Sequence, residues 1–222
     1  MATNDTFTSA GLRTPGAAAI AGLLFSFLLL ATFVLLRISV PPDPQEPGSW
    51  LRANSGAVEL AMNLVPFAGI AFLWFIGVLR DRLGQLEDQF FATVFFGSGL
   101  LFLGTLFLAS ATTGGIIIAF AAKPEQLIGS ATYHFARAAA YAMMNIYVVK
   151  MACVFMITTS TVALYTAIAP RWLAILGYVL AVLLLFGSSF VSWSFAVFPV
   201  WILLLSISIL ADNWRRSPAR SP

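Results

Sequence analysis

Ala17–Leu36 reads AAAIAGLLFSFLLLATFVLL, twenty residues without a charge, bracketed by Arg13 and Arg37. At about 1.5 Å per residue, about 20 apolar residues carry a helix across the ~30 Å hydrocarbon core of a bilayer. Leu28-Leu29-Leu30 does not alternate, as a barrel strand of about 10 residues would. Backbone polar groups in hydrocarbon need partners within their own segment, so this stretch is a helix. It ends at Leu36-Arg37-Ile38-Ser39-Val40-Pro41-Pro42, a helix stop. The run exceeds the roughly 7–15 residues of a signal-peptide core and no small-x-small cleavage site follows, so it is expected to stay as an anchor.

Five more stretches of this kind follow, at Ala57–Leu79, Phe90–Ala111, Ala138–Ala167, Trp172–Ser188 and Ser194–Ala211. Thr112-Thr113-Gly114-Gly115 either ends the third stretch or kinks it, in which case it extends to Ala122, since paired glycines weaken a helix. Hydrophobic residues make up 60% of the 222-residue chain and charged residues 9%. The mean hydropathy is +0.91. No water-soluble domain covers so much apolar surface. The expected fold is all-α, a polytopic integral membrane helical bundle of about six transmembrane helices. It forms one domain over 15–212, between a polar tail at 1–14 and a basic tail at 213–222.

With six crossings both termini share one side. That side carries Arg13, Arg80, Arg82, Arg171, Arg215, Arg216 and Arg220, and the other carries Arg37, Arg52, Lys123 and Arg137. Seven basic residues against four favour cytoplasmic termini in a cell membrane. Topology explains these arginines more simply than ligand binding does.

The connections are short. Pro41–Ser49 holds four prolines in seven residues and reads as a stiff, exposed spacer. Arg80–Gln89 is rich in both signs and reads by default as a solvated turn, with a helical continuation broken near Gly84, or a docking surface for a cytoplasmic partner, as alternatives. Lys123-Pro124-Glu125 reads as a helix start, with proline in the first turn and an acid at the positive end of the dipole. The segment from Glu125 to Arg137 is expected along the outer interface. Trp172, Trp193 and Trp214 fall at span ends, where interfacial indoles belong. Three stripes of small residues, Ala18/Gly22/Ser26, Gly97/Gly104 and Ala174/Gly177/Ala181, are expected to pack helix against helix within the bundle.

Lys150 lies within the fourth span, where a charge is costly and usually has a reason. Met143, Tyr147, Val154, Ile157 and Thr161 share its face by helical spacing. Glu59, Asn63 and Pro66 share a face of the second span. Lys150, Glu59, Asn63, Tyr147 and Thr161 therefore form a candidate polar intramembrane site. It is either a clasp between the second and fourth helices or a site for a proton, an ion or an anionic group. The lone Cys153 and the lone His134 build no metal site. No phosphate-binding loop, nucleophile elbow or His-Glu-x-x-His occurs, so neither catalysis nor a cofactor is expected. Nothing points to nucleic acid. The expected partners are the bilayer and other membrane subunits or further copies of the chain. The expected role is that of a non-catalytic accessory subunit of a larger membrane complex, with transport through the Lys150 site as the alternative.

Leu73-Trp74-Phe75-Ile76-Gly77-Val78-Leu79-Arg80-Asp81-Arg82-Leu83-Gly84, the Phe90–Leu103 stretch and Phe198-Pro199-Val200-Trp201-Ile202-Leu203-Leu204 resemble multi-pass membrane proteins of high-GC Gram-positive bacteria. The resemblance implies a bacterial plasma membrane and a bundle of four to six spans. It carries no activity and no functional residue.

Overall fold

The structure is a computed structural model and describes residues 15–83, 89–166, 168–187 and 193–216. The described chain is helical: α1 (Pro15–Ser39), α2 (Trp50–Leu83), α3 (Gln89–Ala122), a single turn α4 (Pro124–Leu127), α5 (Ala131–Ala142), a π-helical turn (Met143–Val148), α6 (Val149–Thr166), α7 (Arg171–Gly187) and α8 (Ser194–Arg216). Five segments are long and apolar enough to cross a membrane: α1, α2, α3, α8 and the unbroken rod from α5 to α6. At 17 residues α7 is the short one. The third helix passes through Thr112–Gly115 without a break and runs on to Ala122. The expected break at Gly84, the tail at 1–14 and most of the turn before Trp193 lie outside the described residues.

Neighbouring helices alternate in direction. Asn54 donates to the Ser39 carbonyl (2.9 Å), and Thr32 reaches the Ala61 carbonyl (3.5 Å), so α1 and α2 run antiparallel. Phe33 stacks edge-on with Phe195 at 4.8 Å, while Gly16 lies beside Asn213, so α1 and α8 also run antiparallel. The first and last helices thus bring their free ends together.

The core is aromatic. Phe25, Phe72, Phe102, Phe155 and Phe198 come one each from α1, α2, α3, α6 and α8. Phe72 sits at the centre, 4.5 Å from the Phe25 ring, 5.2 Å from Phe102, 5.0 Å from Phe155 and 5.8 Å from Phe198. Lipid tails are as apolar as these rings, so contact geometry rather than water exclusion holds them together.

Two of the three small-residue stripes pack inward. Gly22 lies against Phe75 and Ser206, with Ala18 and Ser26 buried beside it. Gly177 lies against Ser160 and Trp201, with Ala174 and Ala181 buried on the same face of α7.

The proline-rich connection is largely exposed, as expected of a stiff spacer, but it is also pinned to its neighbours. The segments around it hold it down. Arg137 donates to the Pro41 carbonyl (2.6 Å) and the Gly129 amide to the Pro47 carbonyl (2.9 Å). Trp50 Nε1 donates to the Tyr133 hydroxyl (3.0 Å), and Arg52 pairs with Glu125 (2.8 Å). Gly48 adopts φ 104°, a conformation that favours glycine, with the Tyr133 ring about 3.0 Å from where a Cβ would stand. Lys123-Pro124-Glu125 does open a helix, but only a one-turn one. Ser130 then caps α5 by accepting from the Tyr133 amide.

Glu46 organises the turn into α2. Its carboxylate accepts from the Gly48 amide (2.9 Å) and the Ser49 amide (2.8 Å). Burial opposes its charge, but the hydrogen bonds from Ser49 and Gly48, aided by the Arg137 guanidinium, outweigh this and hold its pKa below the ordinary 4.5. A folded-state pKa below the unfolded one gives stability that is present above pH 4.5 and lost as pH falls through the folded value. Protection of the Gly48 and Ser49 amides, measured against the intrinsic exchange rate at each pH, should therefore fall in acid. In Glu46→Gln their protection should be low and nearly independent of pH from 3 to 7 (~ tenfold or more below wild type at neutral pH, about 1.4 kcal/mol). Equal protection in the two proteins would remove Glu46 from this role.

Candidate functional site: an outward face of α2 and α3

The five residues expected to form an intramembrane site do not come together. Lys150 Nζ donates to the backbone carbonyl of Leu185, in the last turn of α7. The last four carbonyls of a helix have no partner within it and carry the negative end of its dipole. A lysine there satisfies one of them and places a cation where the field favours it. The shortness of α7 explains the need. Arg137 stands at the level of Pro41, and Lys150 is 13 residues further along the rod, about 20 Å deeper. The helix therefore ends in hydrocarbon, where an unpaired carbonyl is costly. Beside Val149 and Ala152 the open space is about 10 Å³, no more than a single water would fill.

Thr161 is buried and shares a 2.6 Å hydrogen bond with Tyr178 of α7, so it too joins α6 to α7. Tyr147 is exposed. The shared face drawn through Tyr147 and Lys150 assumes 3.6 residues per turn, and the π-helical turn at Met143–Val148 shifts that register.

Glu59 and Asn63 are both exposed, on the outside of α2. The reason is the opposite stripe of the same helix. Val58, Ala61, Val65, Ala68, Phe72, Phe75 and Leu79 recur at three- and four-residue steps and take the whole inward face. Glu59, Asn63, Pro66 and Trp74 are left outside. From the α1–α2 pairing, Gly56 is level with Arg37, so Glu59 lies about 5 Å and Asn63 about 10 Å below the interfacial arginine. Asn63 has no hydrogen-bond partner among the described residues.

The neighbouring surface of α3 is also open. Gly97, Gly104 and Gly115 have nothing within 4 Å of a would-be Cβ, so the Gly97/Gly104 stripe faces outward rather than into the bundle. Leu101, Leu108 and Ala111 continue that surface. The Ser110 hydroxyl touches Met62 Sδ at 3.3 Å, which sets Asn63 level with this part of α3. A polar stripe on α2 and a glycine-lined stripe on α3 thus lie side by side on one outer face. The spacing Gly97, Gly104, Ala111 was a signal for this, but sequence alone does not say which way a stripe faces.

Comparison with known proteins adds no relative: no protein family, no curated protein and no solved structure matches this chain.

Proposed function

We propose that the chain is a non-catalytic, multi-pass protein of a bacterial cell membrane, an accessory subunit that packs against another membrane chain through the outward face of α2 and α3. The observation that carries this reading is Asn63, an amide directed out of the bundle about 10 Å below the interface. An amide in hydrocarbon gains about 0.6–2 kcal/mol from a partner on a facing helix. The open glycines of α3 allow a second backbone to come close. Transport through Lys150, Glu59 and Asn63 has less support, because Lys150 is engaged by α7 and the other two face away from it.

In gently solubilised native membranes the chain should migrate as a discrete species well above one detergent-bound copy of 23.9 kDa. Gly104→Trp should shift most of it to the single-copy position, with helix content unchanged. A wild-type protein that runs as a single copy would contradict the reading. On topology, the seven-to-four placement of basic residues and the paired ends of α1 and α8 support cytoplasmic termini. Reporters fused after Arg216 and within 41–49 should report opposite sides, the first cytoplasmic.

A further inference from the structure

At the end of the bundle that carries Arg37 and Trp193, α1 and α5 are held apart, because α1 packs on α2 and α8 while α5 packs on α3. The gap is a cleft of about 390 Å³. Its floor is apolar, formed by Phe33, Ile116, Met144 and Phe195. Arg37 lines it from α1 and Arg137 from α5. A volume in the usual ligand range, apolar walls and a few converging polar groups are the attributes of a binding site.

The acids nearby are committed elsewhere. Glu125 pairs with Arg52, and the Glu46 carboxylate is held by the Gly48 and Ser49 amides. Among the described residues neither Arg37 nor Arg137 has a carboxylate within 4.0 Å. The Arg37 guanidinium lies 5.8 Å from the centre of the Trp193 ring. Arg137 donates one terminal nitrogen to the Pro41 carbonyl and also engages the Tyr133 hydroxyl, and its Nε is buried with no partner. Two guanidiniums lining one cleft, one of them with an unpartnered Nε, suit a phosphate, which accepts from both. Among the described residues no carboxylate lines the cleft.

The wall between these cations and the bilayer is the π-helical turn, which contributes Met144, Asn145 and Ile146. Such turns recur at functional sites. Asn145 Nδ2 donates to the Tyr141 carbonyl (2.9 Å), which leaves its Oδ1 as an acceptor for a hydroxyl. Ile146 is 51% exposed, so the apolar floor continues to the lipid-facing surface at that point.

We propose that this cleft binds the phosphate head group of an anionic phospholipid between Arg37 and Arg137, with an acyl chain lying over Met144 and leaving past Ile146. The site is separate from the α2–α3 face and does not depend on the function proposed above.

The test is native mass spectrometry and thermal denaturation of the purified full-length chain in detergent, with phosphatidylglycerol, phosphatidylcholine or glycerol 3-phosphate added. Phosphatidylglycerol should be retained at least tenfold better than phosphatidylcholine and should raise the melting temperature. Arg37→Gln leaves the Arg137–Pro41 contact intact and should lose at least tenfold in phosphatidylglycerol affinity. Met144→Trp, which fills the floor without changing charge, should lose a similar amount. Equal retention of the two lipids would overturn the proposal, as would full phosphatidylglycerol binding by both variants. If glycerol 3-phosphate alone bound as well as the lipid, the site would belong to a soluble phosphate and the lipid assignment would fail.

Discussion

Lys150→Glu is expected to abolish accumulation of folded protein, whereas Lys150→Met should lower stability by only about 1–2 kcal/mol. The two substitutions separate charge from cap. In the native chain the ammonium donates to the Leu185 carbonyl at the negative end of α7. Methionine removes that bond and leaves one buried carbonyl unsatisfied, a cost of about 1–3 kcal/mol. It also removes a charge from hydrocarbon, which recovers part of roughly 2.5–3.5 kcal/mol. The second effect offsets part of the first. Glutamate restores neither: it adds an anion beside a carbonyl oxygen and against the helix dipole, so the terms add. Membrane yield and thermal denaturation of the two variants check this. Hydrogen exchange in Lys150→Met should be raised in the last turn of α7 and unchanged in α2. Equal loss in both variants would contradict the cap.

Gly177→Leu should also prevent folding, and Gly22→Leu should do nearly as much damage. A Cβ on Gly177 would stand 2.6 Å from Trp201 Cζ2 and would overlap Ser160 Oγ. Trp201 is fully buried, and its indole donates to the Leu173 carbonyl (3.2 Å), so it cannot swing aside without breaking that bond. A Cβ on Gly22 would stand 2.9 Å from the Phe75 ring, which belongs to the aromatic core. Overpacking a well-filled core costs about 1–3 kcal/mol for a few methylenes, and more where backbones must separate. Gly97→Leu, by contrast, meets open space and should leave the melting temperature of the isolated chain within about 2 °C, a stability change of about 0.5 kcal/mol or less. A large loss in Gly97→Leu would show that the stripe is packed after all.

The spans were legible because hydrocarbon admits so few backbone solutions. Stretches such as Ala17–Leu36 and Ser194–Ala211 announce helices by apolar length alone, and α1 and α8 include them with a few residues to spare. Facing was less legible, for the same reason. In lipid a helix can be apolar all round: α3 buries Leu103 and Leu106 while exposing Leu101 and Leu108. Its pattern therefore does not tell inside from outside, and Gly97 and Gly104 could not be placed by spacing. Grouping Glu59 and Asn63 with Lys150 requires both to face inward. The inward face of α2 was already taken by Val58, Ala61, Val65 and Phe72. The π-helical turn has no mark in the sequence, and it separates Tyr147 from Lys150. The partner of Lys150 was hidden because it is a backbone carbonyl, which no residue type reveals. The outer cleft was hidden because Arg37 and Arg137 lie 100 positions apart and read singly as topology determinants.

On the proposed reading the α2–α3 face meets another protein chain while the exposed surface of α7 meets only lipid. A photo-activatable amino acid placed at position 63, 104 or 183, in turn, and irradiated in intact native membranes tests it directly. Leu183 of α7 is the control, at 62% exposure and away from the proposed face. Positions 63 and 104 should each give one discrete protein adduct of the same size, and position 183 should give none. Adducts absent at 63 and 104, or equally strong at all three positions, would contradict the account.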